Sequence, residues 1–164
     1  MLTFKDINEA HHRIKPFIHN TPILTSTSLN QMIGSQLYFK CENFQKTGSF
    51  KIRGAINAVS QLSKSQLERG IVTSSSGNHG AAISMAGNKF KSKVKVVMPN
   101  NTPNIKIDNV KRNNGEIIWC EPNQISRDKI LKSVLDETNG VLVHPYNDER
   151  VMAGQGTIAK ELLK

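Results

Sequence analysis

From Gly70 to Val143 short apolar runs alternate with stretches of helical periodicity, and few folds accommodate that alternation. The pattern predicts strands over 70–73, 94–98, 116–119 and 140–143, with helices over 81–90, 104–113 and 126–137 between them. Strands of four to six residues joined by helices cannot form hairpins. They imply an open parallel sheet with helices on both faces. Upstream, Thr3 and Asp6 form a potential capping box for a helix carrying Ile7, Ala10, His11, Ile14, Phe17 and Ile18 on one face. His11 and His12 read as helix-surface or boundary residues, and 36–41 as a further strand. The segment from Arg150 onward is again helical, and Glu161-Leu162-Leu163-Lys164 carries no Gly, Asn or Pro stop signal. That ending reads as a truncated chain.

Lys and Arg number 22 against 13 Asp and Glu, a net charge of +9. The basic residues are scattered and aromatics make up only 5% of the chain. Neither a basic run nor a stacking platform for nucleic acid is present, so nucleic acid is not the expected partner. Cys41 and Cys120 are far apart and outside any C-x-x-C pattern, which argues against a disulfide framework or zinc site and for a reduced, cytoplasmic compartment. No apolar run has the length of a membrane span, and no metal-ligand cluster is evident.

Two stretches carry chemistry. In Lys46-Thr47-Gly48-Ser49-Phe50-Lys51-Ile52-Arg53-Gly54-Ala55 a lysine opens a helix whose apolar face is Ile52, Ala55, Ile56, Val59 and Leu62. The positive end of a helix disfavours an ammonium, so Lys51 is expected to have a lowered pKa, as Schiff-base chemistry requires. In Ser74-Ser75-Ser76-Gly77-Asn78-His79-Gly80 a serine-rich turn joins a strand end to a helix start, where backbone N–H groups favour an anion. Spacing alone leaves that anion open between a phosphate and a carboxylate. Neither G-x-x-x-x-G-K-[ST] nor G-x-G-x-x-G is present.

The run Lys40-Cys41-Glu42-Asn43-Phe44-Gln45, followed by Lys46 to Ala55, resembles the lysine segment of the fold-type II (tryptophan synthase beta-like) pyridoxal-phosphate enzymes. Within them it is most similar to serine racemases and serine/threonine dehydratases. Ser75 to Gly80 resembles the family's substrate-carboxylate loop, and Ala153-Gly154-Gln155-Gly156-Thr157-Ile158-Ala159 a third family segment, in the same order.

The resemblance implies pyridoxal 5'-phosphate held as a Schiff base on Lys51, with Phe50 beside the cofactor ring and Asn78 touching the cofactor. It assigns the substrate carboxylate to Ser75, Asn78 and His79, and the α-carbon proton to Lys51 and Ser76 from opposite sides. Arg127 matches a substrate-side arginine, and a solvent-facing residue at a helix start is the other reading. The implied substrate is a small amino acid, serine or threonine, either dehydrated with release of ammonia or racemised. Serine at position 76 favours racemase-like members over dedicated threonine dehydratases, and both outcomes stay open. Ala81 stands where nucleotide-binding relatives carry glutamine, so the resemblance does not extend to nucleotide regulation. It also implies a homodimer and division of the chain into 1–69 (large domain), 70–147 (small α/β domain) and 148–164 (return helix to the large domain). The family's phosphate loop, pyridine-nitrogen partner and acidic residues for a divalent cation have no counterpart in these 164 residues. The chain alone is therefore expected to be weakly active or inactive. The alternative is a non-catalytic fragment or interaction module derived from such an enzyme.

Overall fold

A computed structural model describes residues 1–163, leaving Lys164, the last residue of the expected return helix, outside the described residues. Four parallel strands, β3 (Ile71–Ser74), β4 (Val94–Pro99), β5 (Gly115–Cys120) and β6 (Val141–Leu142), form a sheet in the order β5-β4-β3-β6. The two central strands, β3 and β4, are buried on both faces. Ile71, Val94 and Val96 join the core shared with α5 (Asn78–Lys89) and α3 (Lys51–Val59), while Val72, Val97 and Cys120 pack against Val134 and neighbours on α7 (Gln124–Thr138). Apolar residues on both sides of the pleat are what a doubly covered parallel sheet requires. The predicted helices and strands of this region recur with boundaries shifted by one to three residues at most.

The N-terminal region departs further from expectation. The Thr3–Asp6 capping box forms and opens α1 (Phe4–Ile14), but a 3-10 turn at Lys15–Phe17 replaces the helix beyond, because Pro16 lacks the N–H that continuation needs. His12 is exposed, whereas His11 is buried, with Nδ1 3.9 Å from Glu161. The strand expected over 36–41 shrinks to β2 (Phe39–Lys40), which pairs antiparallel with an unforeseen β1 (Ile23–Leu24). Two short helices were also unforeseen, α2 (Thr27–Ile33) and α4 (Lys64–Arg69), although Ser26 and Ser63 cap them by accepting from the N3 amides.

Helix α3 buries every residue from Ile52 to Val59, not one face, since α1, α5 and α8 (Glu149–Leu162) enclose it. At its crossing with α8 a Cβ on Gly154 would lie 2.6 Å from the Arg53 carbonyl oxygen and 2.7 Å from the Gly54 Cα. Only two glycines allow the helix backbones to come this close.

Arg53 is fully buried at this crossing. Its guanidinium donates to both carboxylate oxygens of Glu42 (2.7 and 2.8 Å) and of Glu161 (2.8 and 2.9 Å), and to the Thr157 hydroxyl. Lys40 Nζ lies 2.6 Å from the second Glu161 oxygen. Burial would raise the Glu161 pKa, but hydrogen bonds from Arg53 and Lys40 outweigh it and hold the carboxyl below its ordinary value. Thus β2, the following turn, α3 and α8 meet at two carboxylates and two cations.

Glu161→Gln leaves Arg53 and Lys40 undercompensated in a buried site and is expected to cost about 3–5 kcal/mol, read from the urea midpoint; a loss below about 1 kcal/mol contradicts the account. The Glu161 contribution is present above its unfolded pKa of 4.5 and is lost as pH falls through the depressed folded value, so the variant should lose that part of the acid sensitivity. Gly154→Ala is expected to destabilise by about 1–3 kcal/mol through overpacking, and unchanged stability would show that the helices can separate freely.

Candidate active site

Two consecutive 3-10 turns, Glu42–Phe44 and Lys46–Gly48, lead into α3. Thr47 (φ 64°) and Gly48 (φ 72°) are both left-handed, a strained conformation for a β-branched threonine. The buried Gln45 side chain pins the turn, accepting from His19 N (2.9 Å) and donating to His19 O (2.7 Å). Phe50 follows at the helix boundary and Lys51 is the first residue of α3, both half-buried.

Lys51 Nζ donates to the Pro145 carbonyl at 3.0 Å and lies 5.1 Å from the centre of the Phe50 ring. Its pKa is lowered, as expected, but by burial, which strips water from the ammonium.

The second stretch leaves β3 at Ser74. Ser75 N extends the ladder by donating to Val97 O at 3.0 Å, and Ser75 Oγ accepts from Gly77 N at 3.2 Å. Gly77 starts α5 without any side-chain cap, so the first-turn N–H groups are left for an external acceptor. Ser76 and Asn78 are exposed at this edge and His79 is buried. The His79 ring is 3.3 Å from Val143 O through Nε2, which assigns the proton to Nε2 and leaves the Nδ1 lone pair buried without a hydrogen-bond partner. Burial first, and the charges of Lys51 and His144 next, push the His79 pKa down to about 4 against the opposing bond to Val143. At neutral pH the ring is an uncharged acceptor.

The two stretches converge on the segment after β6. Val143 O accepts from His79 and from the Thr73 hydroxyl (2.8 Å), and Pro145 O accepts from Lys51. Among the described residues no hydrogen bond joins Lys51 to Ser76 directly. Thr47 Oγ1, Ser49 Oγ and Ser74 Oγ are buried without partners, as is His79 Nδ1. All four lie on the two segments that carry Lys51 and the serine-rich turn.

Arg127, the fourth residue of α7, is half-buried. It lies beside the Cys120 thiol, whose pKa burial raises despite the Arg127 charge and hydrogen bond. With Ser76 it lines a cavity of about 250 Å3. The carbonyls of Val143 and Pro145 were not anticipated from the sequence, because backbone acceptors leave no residue-type signature. Pro145, a proline shortly after the strand expected over 140–143, was the one available signal. Lys106 and Thr102, which line the same cavity as Arg127, read only as ordinary helix and turn residues.

The family profile described as pyridoxal-phosphate dependent enzyme matches residues 14–164. The chain is 54% identical over 158 residues to a serine racemase of Arabidopsis thaliana, covering 96% of this chain and 48% of that protein. It is 51% identical over 162 residues to a beta-hydroxyaspartate dehydratase of Paracoccus denitrificans, covering 99% and 51%. The solved structure of maize serine racemase superposes with a TM-score of 0.96 at 45% identity, covering 99% of this chain and 49% of that one. The expected fold-type II architecture is therefore borne out. The chain spans about half the length of the curated relatives it matches.

His79 should remain neutral through pH 7 and protonate near pH 4 when followed by the ring-proton resonances. Its unfolded pKa is 6.5, so its neutral-state contribution to stability declines as pH falls from that value toward about 4. A titration midpoint above 6 would contradict the buried geometry.

Proposed function

This chain belongs to the pyridoxal-phosphate dependent enzyme family, and from that membership we propose that it carries the lysine and the substrate-carboxylate loop of an enzyme that dehydrates or racemises small β-hydroxy amino acids such as serine and threonine. The single observation that carries the reading is the half-buried Lys51 amine, tied to Pro145 O on the same segment that holds the neutral His79.

The residues fit pyridoxal phosphate. An amine with a depressed pKa has the nucleophilic free base within reach, an aromatic ring is centred 5.1 Å from it, and four unpartnered buried polar atoms lie on its own segment and on the serine-rich turn. Lys51 and Phe50 would hold the group, with Asn78 contributing at the edge of the loop. When bound, it supplies an aldehyde for amine condensation and a ring that draws electrons from the substrate α-carbon.

Lys51 Nζ then takes the proton from that carbon as a general base, and the Pro145 carbonyl orients the nitrogen for it. The α5 N–H groups, that of His79 among them, hold the substrate carboxylate with the Ser75 and Asn78 side chains; the uncharged His79 ring is turned to Val143 O and offers the carboxylate no donor. Ser76 Oγ, exposed beside the Lys106 and Arg127 cations, returns a proton to the α-carbon in racemisation. In dehydration the β-hydroxyl leaves instead, and product hydrolysis releases ammonia. Arg127 faces the substrate side. The functional unit is a cytoplasmic homodimer, divided at 69/70 and 147/148 between large and small domains. Among the described residues no helix is long and apolar enough to cross a membrane.

Incubation with substoichiometric pyridoxal phosphate followed by borohydride should place the added mass on Lys51 by peptide mass spectrometry, and Lys51→Ala should abolish that modified peptide. Label spread over exposed lysines, with Lys51 spared, overturns the proposal.

A further inference from the structure

The segment from Val143 to Asp148 carries the carbonyl that holds Lys51, and its ends are tied in a way its middle is not. Val143 N donates to Val72 O at 3.0 Å and Val143 O accepts from His79 and Thr73, which fixes the start to β3 and α5. Asp148 caps α8 by accepting from Arg150 N, which fixes the end. Between them Pro145 has no N–H to give, and among the described residues neither Tyr146 N nor Asn147 N donates to a backbone carbonyl. Both donate instead to one atom, His144 Nδ1, at 3.3 and 2.9 Å. An imidazole nitrogen that accepts must carry its lone pair, so the His144 proton sits on Nε2 and the ring is neutral in this arrangement. The ring also meets Tyr146 edge-on, with 4.5 Å between centres and 88° between planes.

A single acceptor that gathers two amides closes the bend much as an Asn or Asp side chain closes a turn. Pro145 is the residue enclosed between acceptor and donors, and its carbonyl is the one that accepts from Lys51 Nζ at 3.0 Å. Burial is what lowers the Lys51 pKa, and a carbonyl at that distance occupies a place water would otherwise take. We propose that His144 is a positioning residue for Lys51: its Nδ1 lone pair sets the bend that keeps the Pro145 carbonyl against the amine, and so fixes where the amine points and how much water reaches it. The catalytic use of that amine rests on the reading of the preceding subsection, whereas the tie from His144 to Lys51 belongs to the chain itself.

Two substitutions separate the acceptor from the ring. His144→Phe keeps a ring against Tyr146 and removes the acceptor. His144→Asn removes the ring and returns an acceptor, since an Asn carbonyl takes amides two or three residues on. In the 164-residue chain without cofactor, the Lys51 Cε titration should move up toward 10.5 in His144→Phe and return to the wild-type midpoint in His144→Asn. Trapping of pyridoxal phosphate on Lys51 at neutral pH should slow by about threefold or more in His144→Phe, because less free amine is present, and recover to within about twofold in His144→Asn. An unmoved midpoint in a folded His144→Phe, or equal shifts in both variants, overturns the proposal. If His144→Phe does not fold, the wild-type chain decides: in mildly alkaline solution the His144 nitrogen resonances should show a bare Nδ1 and a protonated Nε2, and a proton on Nδ1 overturns the proposal. If the midpoints move as expected but pyridoxal phosphate is never trapped on Lys51, the functional reading falls and the positioning stands. If trapping succeeds while His144→Phe changes neither midpoint nor rate, only the positioning falls.

Discussion

Two backbone carbonyls hold the candidate site together. Val143 O accepts from Thr73 on β3 and from His79 on α5, and Pro145 O accepts from Lys51 at the start of α3. Three elements distant in sequence are thereby fixed to one short segment after β6. Parallel strands make this possible, because their carboxyl ends lie at one edge of the sheet and deliver Ser74 and Val143 to the same place. Carbonyl acceptors carry no formal charge, so Lys51 is held without a carboxylate that would stabilise its ammonium. Burial is left to lower its pKa.

Holding Lys51 in place also requires a rigid α3, and its rigidity comes from enclosure. Gly54 and Gly154 bring α3 and α8 into backbone contact, and Arg53 locks the crossing by engaging Glu42 and Glu161 together. Such a network is costly to desolvate, and replacing it with apolar groups could leave stability unchanged or higher. Its geometric effect is specific, however: Glu42 belongs to the turns that precede Lys51, so the same guanidinium orients the lysine's approach and the return helix. The strained Thr47 turn persists within that frame.

Much of this was legible in the sequence. Apolar runs such as Val94 to Met98 revealed the parallel sheet because burial on both faces demands them, and the Thr3–Asp6 spacing revealed a helix start. Lys51 and the Ser75–His79 turn stood out because glycines and hydroxyl residues at strand-to-helix junctions have a physical purpose. The two-residue strands β1 and β2 were not legible, since their pairing comes from tertiary contact and neither is long enough to show a period. Helix α3 read as one-sided because small residues such as Ala58 and Gly54 give no apolar signal, although helices pack on them. The part that burial plays in the Lys51 shift was not legible for a related reason: helix position is visible in a sequence, and depth is not. Lys106 escaped notice because only the fold brings it over Gly77.

The central claim is that one amine among many lysines is partly stripped of water, so that its pKa lies below that of its exposed counterparts. Following the side-chain Cε resonances of a lysine-labelled sample through an alkaline titration tests it most directly. One resonance should titrate below the ordinary lysine value of 10.5 and vanish in Lys51→Arg. If every lysine titrates together at that value, the amine is solvated and the account of the site is wrong.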